Sequence, residues 1–379
     1  MDIKELREKL NAVDDELVAA FEKRMELAKQ IAAYKRENNV SVSDRTRERE
    51  IINRVTEMVP PELATYAGSL YNTLFDLSKT YQNSLIRSDS KLTRDIAAAL
   101  ERTGEQFPER AVVACQGTEG AYSQFACDRL FKYPSIMYTD NFEGVFRAVD
   151  RGLCRYGILP LENSTAGSVT AVYELMQKYH FYIVASTRLF VGHVLLANAG
   201  ASLSGIKEIF SHEQAINQCS DFLQTLKGVT VTVCENTATA AKAVAASGRT
   251  DAAAICSPEC AELYNLRQLS DHVANTANNY TRFICISKDV EIYPGANRTS
   301  IMARLAHKPG SLYNVIARFA ALGINLTKLE SRPVAGSDFE FAFYFDIDAS
   351  IYSKELAELI IQLENEIPEL CYLGSYNEI

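Results

Sequence analysis

The sequence predicts a multidomain chain: an all-α N-terminal segment, then an α/β region, then a small α+β module. Three observations carry this expectation. Residues 3–37 contain neither Pro nor Gly and repeat apolar side chains at steps of three and four, the pattern of one long helix with an apolar seam. From Ala111 to about Lys288, short apolar runs are each followed by a helical stretch, which implies a largely parallel sheet. From Thr299 onward the order is strand, helix, strand, strand, helix, strand, that of a ferredoxin-like fold.

Composition narrows the function classes. With 379 residues the chain suggests two or three domains, and 47% hydrophobic with 23% charged residues reads as globular. A net charge of -9 argues against a general nucleic-acid binder. No apolar run approaches the ~20 residues that span a bilayer. Met1-Asp2-Ile3-Lys4-Glu5 does not read as a signal peptide. Nine scattered cysteines, an odd number, read as reduced thiols. Cys256 and Cys260 lack zinc-knuckle spacing, and none of the five His sits in a metal-binding pattern. No metal, redox cofactor, nucleic acid or membrane is expected, and the location is expected to be cytoplasmic.

In the N-terminal helix the seam runs through Leu6, Leu10, Val13, Leu17, Phe21, Ala28 and Ile31. The same steps place Arg24 and Lys35 on it, with Arg7 at its border. Cations on a buried stripe cost free energy unless paired, so three of them point to an anionic ligand. Arg24 and Lys35 lie eleven residues apart on one face, ~16 Å along the axis, a gap two long side chains can bridge. Arg7 lies ~25 Å from Arg24 on a straight helix and reaches the same ligand only from a partner helix running antiparallel. A dimer with shared sites is expected. A second helix starts at about Asp44, which shares a face with Glu48 and has Arg47 beside it. A third runs from about Glu62 to Ile86, with Ser78 and Gln82 on one face.

Residues 89–110 read as a polar linker, helical from about Asp95 to Arg102 and punctuated by Gly104 and Pro108. In the α/β region, strands are expected at Val112–Cys115, Tyr156–Pro160, Glu208–Phe210, Val229–Cys234 and Ala252–Ile255. Ligands of such folds gather beyond strand C-termini, where helix N-termini offer free N–H groups. Four loops follow that rule. They are the Gly117–Ser123 turn; Glu162-Asn163-Ser164-Thr165; Ser211-His212-Glu213-Gln214 with Gln218; and Asn278–Arg282, leading into a strand Phe283–Ser287. Helix capping by Asn163 or Ser164, or by Ser211, would account for two of them without any ligand.

Taken together, Leu159–Thr165, Thr281-Arg282-Phe283 and Leu329-Glu330-Ser331-Arg332-Pro333, behind an Arg-studded helical segment, resemble the bifunctional chorismate mutase–prephenate dehydratases. The resemblance implies domains at 1–88 (helical mutase), 111–288 (dehydratase) and 298–379 (regulatory ACT domain). It implies a two-lobed, periplasmic-binding-like α/β dehydratase fold. Arg7, Arg24, Lys35, Asp44, Arg47, Glu48, Ser78 and Gln82 match the mutase active-site positions in order. In the dehydratase, Thr281 is expected to donate a hydrogen bond to the departing hydroxyl. Asn163, Gln214 and Gln218 are expected to position substrate together with Glu162, Ser164, Arg282 and Phe283, with Glu162 and His212 as possible proton carriers. Pro309-Gly310-Ser311-Leu312 and Glu330-Ser331-Arg332-Pro333 resemble the phenylalanine-binding motifs of ACT domains, which bind it where two such domains meet. The substrates implied are chorismate and prephenate, the effector L-phenylalanine, and the assembly a homodimer or larger. An arogenate dehydratase, or a non-catalytic amino-acid sensor, are the competing expectations.

Overall fold

The structure is a computed structural model that describes every residue except 1, 39, 41, 43, 87–90, 306, 308, 335–339 and 368. The chain divides into two compact units, one of residues 1–94, 304–323 and 352–370, the other of residues 95–303, 324–351 and 371–379. No helix among the described residues is long and apolar enough to cross a membrane.

In the first unit, α1 (Ile3–Glu37) is unbroken, α2 (Arg45–Glu57) is capped by Asp44, and α3 (Ala64–Ile86) follows a short 3-10 turn. The α1 seam is largely uncovered: Ala28 is buried, beside Ala32, whereas Leu10, Val13 and Leu17 remain 59%, 58% and 56% exposed and Ile31 47%.

Helix α4 (Lys91–Arg102) crosses from the first unit into the second and buries Ile96 and Ala99. The expected tether is tied down at its end: Thr103 Oγ1 accepts from the Ile292 amide at 3.1 Å, and the Phe107 ring packs tilted or edge-on among Phe131, Tyr156 and Tyr293. The chain continues through β1 (Arg110–Gln116), α5 (Tyr122–Leu130), β2 (Tyr133–Thr139), α6 (Phe142–Asp150), β3 (Tyr156–Asn163) and β4 (Gly167–Ser168). Next come α7 (Thr170–Tyr179), β5 (Tyr182–Phe190), β6 (Val194–Ala197), β7 (Glu208–Ser211), α8 (Glu213–Gln218), α9 (Ser220–Thr225) and β8 (Thr230–Val233). Then follow α10 (Thr237–Ser247), β9 (Ala252–Cys256), α11 (Cys260–Leu263), β10 (Arg267–Ser270) and β11 (Tyr280–Ser287). The C-terminal segment adds the strands β12 (Arg298–Leu305), β13 (Asn325–Pro333), β14 (Phe341–Asp348) and β15 (Glu369–Glu378), while its helices α12 (Ser311–Ala321) and α13 (Lys354–Glu366) group with the first unit.

Two sheets result. The smaller has the order β10-β6-β9-β7-β8. The larger runs β13-β14-β12-β15-β5-β11-β3-β1-β2, so the C-terminal strands continue the first α/β lobe without a break. The joint is β15 pairing in parallel with β5, Asn377 opposite Ala185. Gly374 permits this approach: its φ is +134°, and a Cβ there would run into the backbone of Ile183. One apolar core spans the join, from Phe146, Leu159 and Ile284 to Met302, Tyr344 and Tyr376. Within the C-terminal segment the strand order is the ferredoxin-like one expected. Of Val334-Ala335-Gly336-Ser337, which the sequence places between the second and third strands of this segment, the last three residues lie outside the described ones.

Candidate functional site

Strands β3 and β11 are the heart of the second unit's site. β3 was expected to end sooner and β11 to begin later, with Glu162–Thr165 and Asn278–Arg282 as loops. Instead they pair antiparallel as far as Thr281 opposite Asn163. Side chains alternate across a strand, and this decides which residues face the cleft. Asn163, Thr281 and Phe283 line a cavity of about 380 Å³, together with Gln214, Gln218 and His193. Helix starts converge on it: Ala121–Ser123 at α5, His212 at α8 and Asn236–Thr237 at α10. Free N–H groups at helix starts suit carboxylates.

A hydrogen-bonded chain organises the wall. Asn163 Nδ2 donates to Thr281 Oγ1 at 2.8 Å and to Asn279 Oδ1 at 2.7 Å. Asn163 Oδ1 accepts from the Thr165 and Ala166 backbone amides at 3.0 and 2.9 Å, which fixes the amide's orientation. Asn279 Nδ2 donates to Gln218 Oε1 at 3.0 Å, and Gln218 Nε2 donates to Thr165 Oγ1 at 2.8 Å. Because Thr281 Oγ1 is already an acceptor, its own proton is free for a ligand. His193 Nε2 lies 3.0 Å from Gln218 Oε1, an acceptor, so Nε2 carries the proton. Its Nδ1 is buried without a partner. Burial holds the His193 imidazole below its usual pKa, against the Gln218 hydrogen bond, so the ring is neutral at pH 7. His212, not Ser211, caps α8: its Nδ1 accepts from the Gln214 amide at 3.2 Å, while Ser211 Oγ donates to the Ile255 carbonyl. Burial lowers the His212 pKa as well.

Three expected substrate contacts face away from this cavity. Arg282, 5% exposed, lies on the reverse face of β11 and donates to Glu162 at 3.1 Å and Asp346 at 2.5 Å. Glu162 is correspondingly engaged by Arg282 and Lys328. Ser164 Oγ donates to the Asn278 carbonyl and accepts from the Tyr280 amide. Period-2 alternation, hidden while these segments read as loops, is the reason for Glu162 and Arg282, whereas Ser164 lies in the turn that follows β3. His193, Asn279 and Asn236 were not singled out. Asn236 was findable, since an Asn two residues past the expected strand Val229–Cys234 and just ahead of an Ala-rich run is a capping signature.

In the first unit, Arg24 Nη1 donates to the Leu74 carbonyl at 3.0 Å and to Ser78 Oγ, and the guanidinium lies 5.7 Å over the Phe75 ring. Partial burial lowers its pKa, but it remains a cation. Gln82 is buried with Oε1 unpartnered. Lys35 Nζ donates to the Val42 carbonyl at 2.7 Å, and Glu48 pairs with Lys79 at 3.3 Å. Two expected site residues instead serve the start of α2: Asp44 accepts from the Arg47 amide, and the Arg47 side chain pairs with Glu50 at 2.9 Å in solvent. Arg7 is exposed on the uncovered part of α1. Among the described residues, no cluster of three or more His, Cys, Asp or Glu could hold a metal.

Of the effector-motif residues, Gly310 (φ +85°) caps α12, and Ser311 and Leu312 form its first turn. Glu330, Ser331, Arg332 and Pro333 lie on β13, the end strand of the larger sheet.

The second unit is thus a two-lobed α/β domain whose cleft joins backbone amides at helix starts to a polar amide–hydroxyl wall. Residues 113–291 match the family model for prephenate dehydratase, and residues 6–83 that for chorismate mutase type II. An arogenate dehydratase/prephenate dehydratase of Arabidopsis thaliana is 36% identical over 279 residues, 70% of this chain and 73% of that one. The bifunctional chorismate mutase/prephenate dehydratase of Escherichia coli is 29% identical over 378 residues, 98% of this chain and 95% of that one. The prephenate dehydratase of Arthrobacter aurescens, solved in complex with L-Phe, superposes with a TM-score of 0.64 at 26% identity, covering 70% of this chain and 89% of that one. The chain belongs to the prephenate dehydratase family, with a chorismate mutase region ahead of the dehydratase. It is an enzyme with both activities, acting in phenylalanine biosynthesis.

Proposed function

We propose that the two regions act in sequence in the cytoplasm, that the mutase site is completed by a second copy of the chain, and that L-phenylalanine inhibits the dehydratase through the C-terminal segment. Chorismate rearranges to prephenate by a pericyclic step needing no acid, base or cofactor. The protein must fold the substrate and stabilise negative charge on the ether oxygen. Arg24 with Arg7 of a partner helix binds the carboxylates through bidentate forks, and Lys35 and Gln82 donate to the ether oxygen. Ser78 and Glu48 orient these groups. The uncovered seam of α1 supports the dimer: burying Leu10, Val13 and Leu17 against a partner contributes about 1.5–3 kcal/mol each.

In the dehydratase the bond to the ring carboxylate breaks, its electron pair enters the ring, and the C4–O bond breaks. Carbon dioxide and phenylpyruvate result, and the departing hydroxide takes up one proton from solvent to leave as water. The Thr281 hydroxyl donates to the departing oxygen, polarised by Asn163, and Gln214 and Gln218 hold the substrate beside the Phe283 wall. The observation that carries this reading is the Asn163–Thr281 bond at 2.8 Å, which leaves the Thr281 proton free at the cavity wall.

An ACT-type role for residues 298–379 is supported by the ferredoxin-like strand order and by Glu330–Pro333 lying on an edge strand, open to pairing with a second copy. The experiment is phenylpyruvate formation from prephenate with and without phenylalanine, beside chorismate consumption and a parallel assay with arogenate. Phenylalanine is expected to suppress prephenate turnover at least several-fold and chorismate consumption much less. Equal suppression of both, or of neither, removes the effector reading; turnover of arogenate alone replaces the substrate.

A further inference from the structure

The reverse face of the dehydratase wall carries a charged network that the chemistry does not use. Behind Thr281 on β11 stands Arg282, and behind Asn163 on β3 stands Glu162. Arg282 is bound by Asp346 of β14 and by the Tyr376 hydroxyl, both at 2.5 Å. The Asp346 carboxylate also accepts from Ser300 Oγ. Glu162 is held from the other side by Lys328 of β13, whose ammonium also donates to Ser168 Oγ at 3.0 Å. Ser168 in turn donates to Glu330 at 2.9 Å, and Glu330 pairs with Arg332 at 2.8 Å. Burial alone would raise the Glu162 pKa; Lys328 and then Arg282 outweigh it and hold the carboxyl below its usual range.

Ser168 joins the two faces. It sits on β4, which pairs with β3 so that Glu162 faces Ser168 and Asn163 faces Gly167. Gly167 and Ser168 line the catalytic cavity and also a second cavity of about 350 Å³ on the network side. A shift of Lys328 or Glu330 is therefore a shift of the cavity wall, one residue from Asn163.

We propose that Lys328 is a positioning residue for the dehydratase reaction: clamped to Glu162 and Ser168, it sets the placement of Asn163 and of the Gly167–Ser168 wall. It is also the joint through which a ligand engaging Glu330–Arg332 alters turnover. The inference rests on the dehydratase reading of the cavity. Lys328 touches no reacting atom, so its effect falls on geometry in the transition state, where misplacement of about 1 Å costs up to about 100-fold.

The test uses the full-length chain and the variants Lys328→Met, Lys328→Arg, Glu162→Gln and the Lys328→Met/Glu162→Gln double. Lys328→Met is expected to lower the kcat for prephenate about tenfold or more, with KM within about twofold. Lys328→Arg, which keeps the cation, restores most of it. In the Glu162→Gln background Lys328→Met adds little, because the pair acts as one unit. The ratio of turnover without and with phenylalanine shrinks in Lys328→Met, and chorismate consumption by the same preparation stays at the wild-type rate, which controls for enzyme concentration, while the unchanged KM and the Arg rescue report that the second unit is folded. A wild-type kcat in Lys328→Met overturns the proposal, as do additive effects in the double variant or no rescue by Arg. If wild type itself yields no phenylpyruvate from prephenate while consuming chorismate, the dehydratase reading fails first, and the joint with it.

Discussion

Thr281→Ala is expected to lower phenylpyruvate formation from prephenate by about 100- to 1,000-fold, the usual loss when one preorganised donor to a developing charge is removed. Chorismate consumption should be unchanged, because Thr281 belongs to the second compact unit and the mutase helices to the first. The fold should tolerate the change. Thr281 is the second residue of β11, already paired with β3 on one side and β5 on the other, so backbone pairing holds the position whatever the side chain. Asn163 Nδ2 keeps Asn279 Oδ1 as an acceptor for one of its two N–H groups, so only the one that met Thr281 Oγ1 at the cavity wall loses its partner. Thr281→Ser retains the hydroxyl and should retain most of the rate. Near wild-type phenylpyruvate formation by the alanine variant would remove Thr281 from the mechanism.

Arg7→Ala and Arg24→Ala should each abolish most chorismate consumption, yet a mixture of the two, co-refolded or co-expressed, should regain about a quarter of wild-type activity. The arithmetic follows from two-fold symmetry. If each site takes Arg24 from one copy and Arg7 from the other, a mixed dimer contains one intact site and one doubly damaged site. Random pairing makes about half the dimers mixed. Arg7 stands on the part of α1 where the apolar seam is uncovered, whereas Arg24 is anchored on α3 through Leu74 and Ser78. Activity of the mixture no higher than the sum of its parts would mean that one chain supplies the whole site.

The long helix, its cation-bearing seam and the alternation of strands and helices were legible because they are local periodicities. Period 3.6 in residues 3–37 needs no tertiary information. The Asn163–Thr281 wall was legible in identity but not in geometry. Polar residues at strand ends read as loops, and that reading erased the alternation that sends Thr281 and Arg282 to opposite faces. The continuity of the larger sheet was not legible at all: β15 meets β5 across nearly half the chain, and no local pattern encodes such a pairing. His193 was silent for a related reason. A single imidazole beside a glycine has no periodic signature, and its meaning comes only from Gln218, which folding brings to it.

The most direct test supplies chorismate as the sole substrate to one preparation of the purified chain and follows prephenate and phenylpyruvate over time. Two sequential activities in one polypeptide predict that prephenate rises first and phenylpyruvate follows after a lag. Adding phenylalanine should then leave prephenate accumulating. Chorismate left unconsumed, or prephenate formed and never converted, would contradict the account.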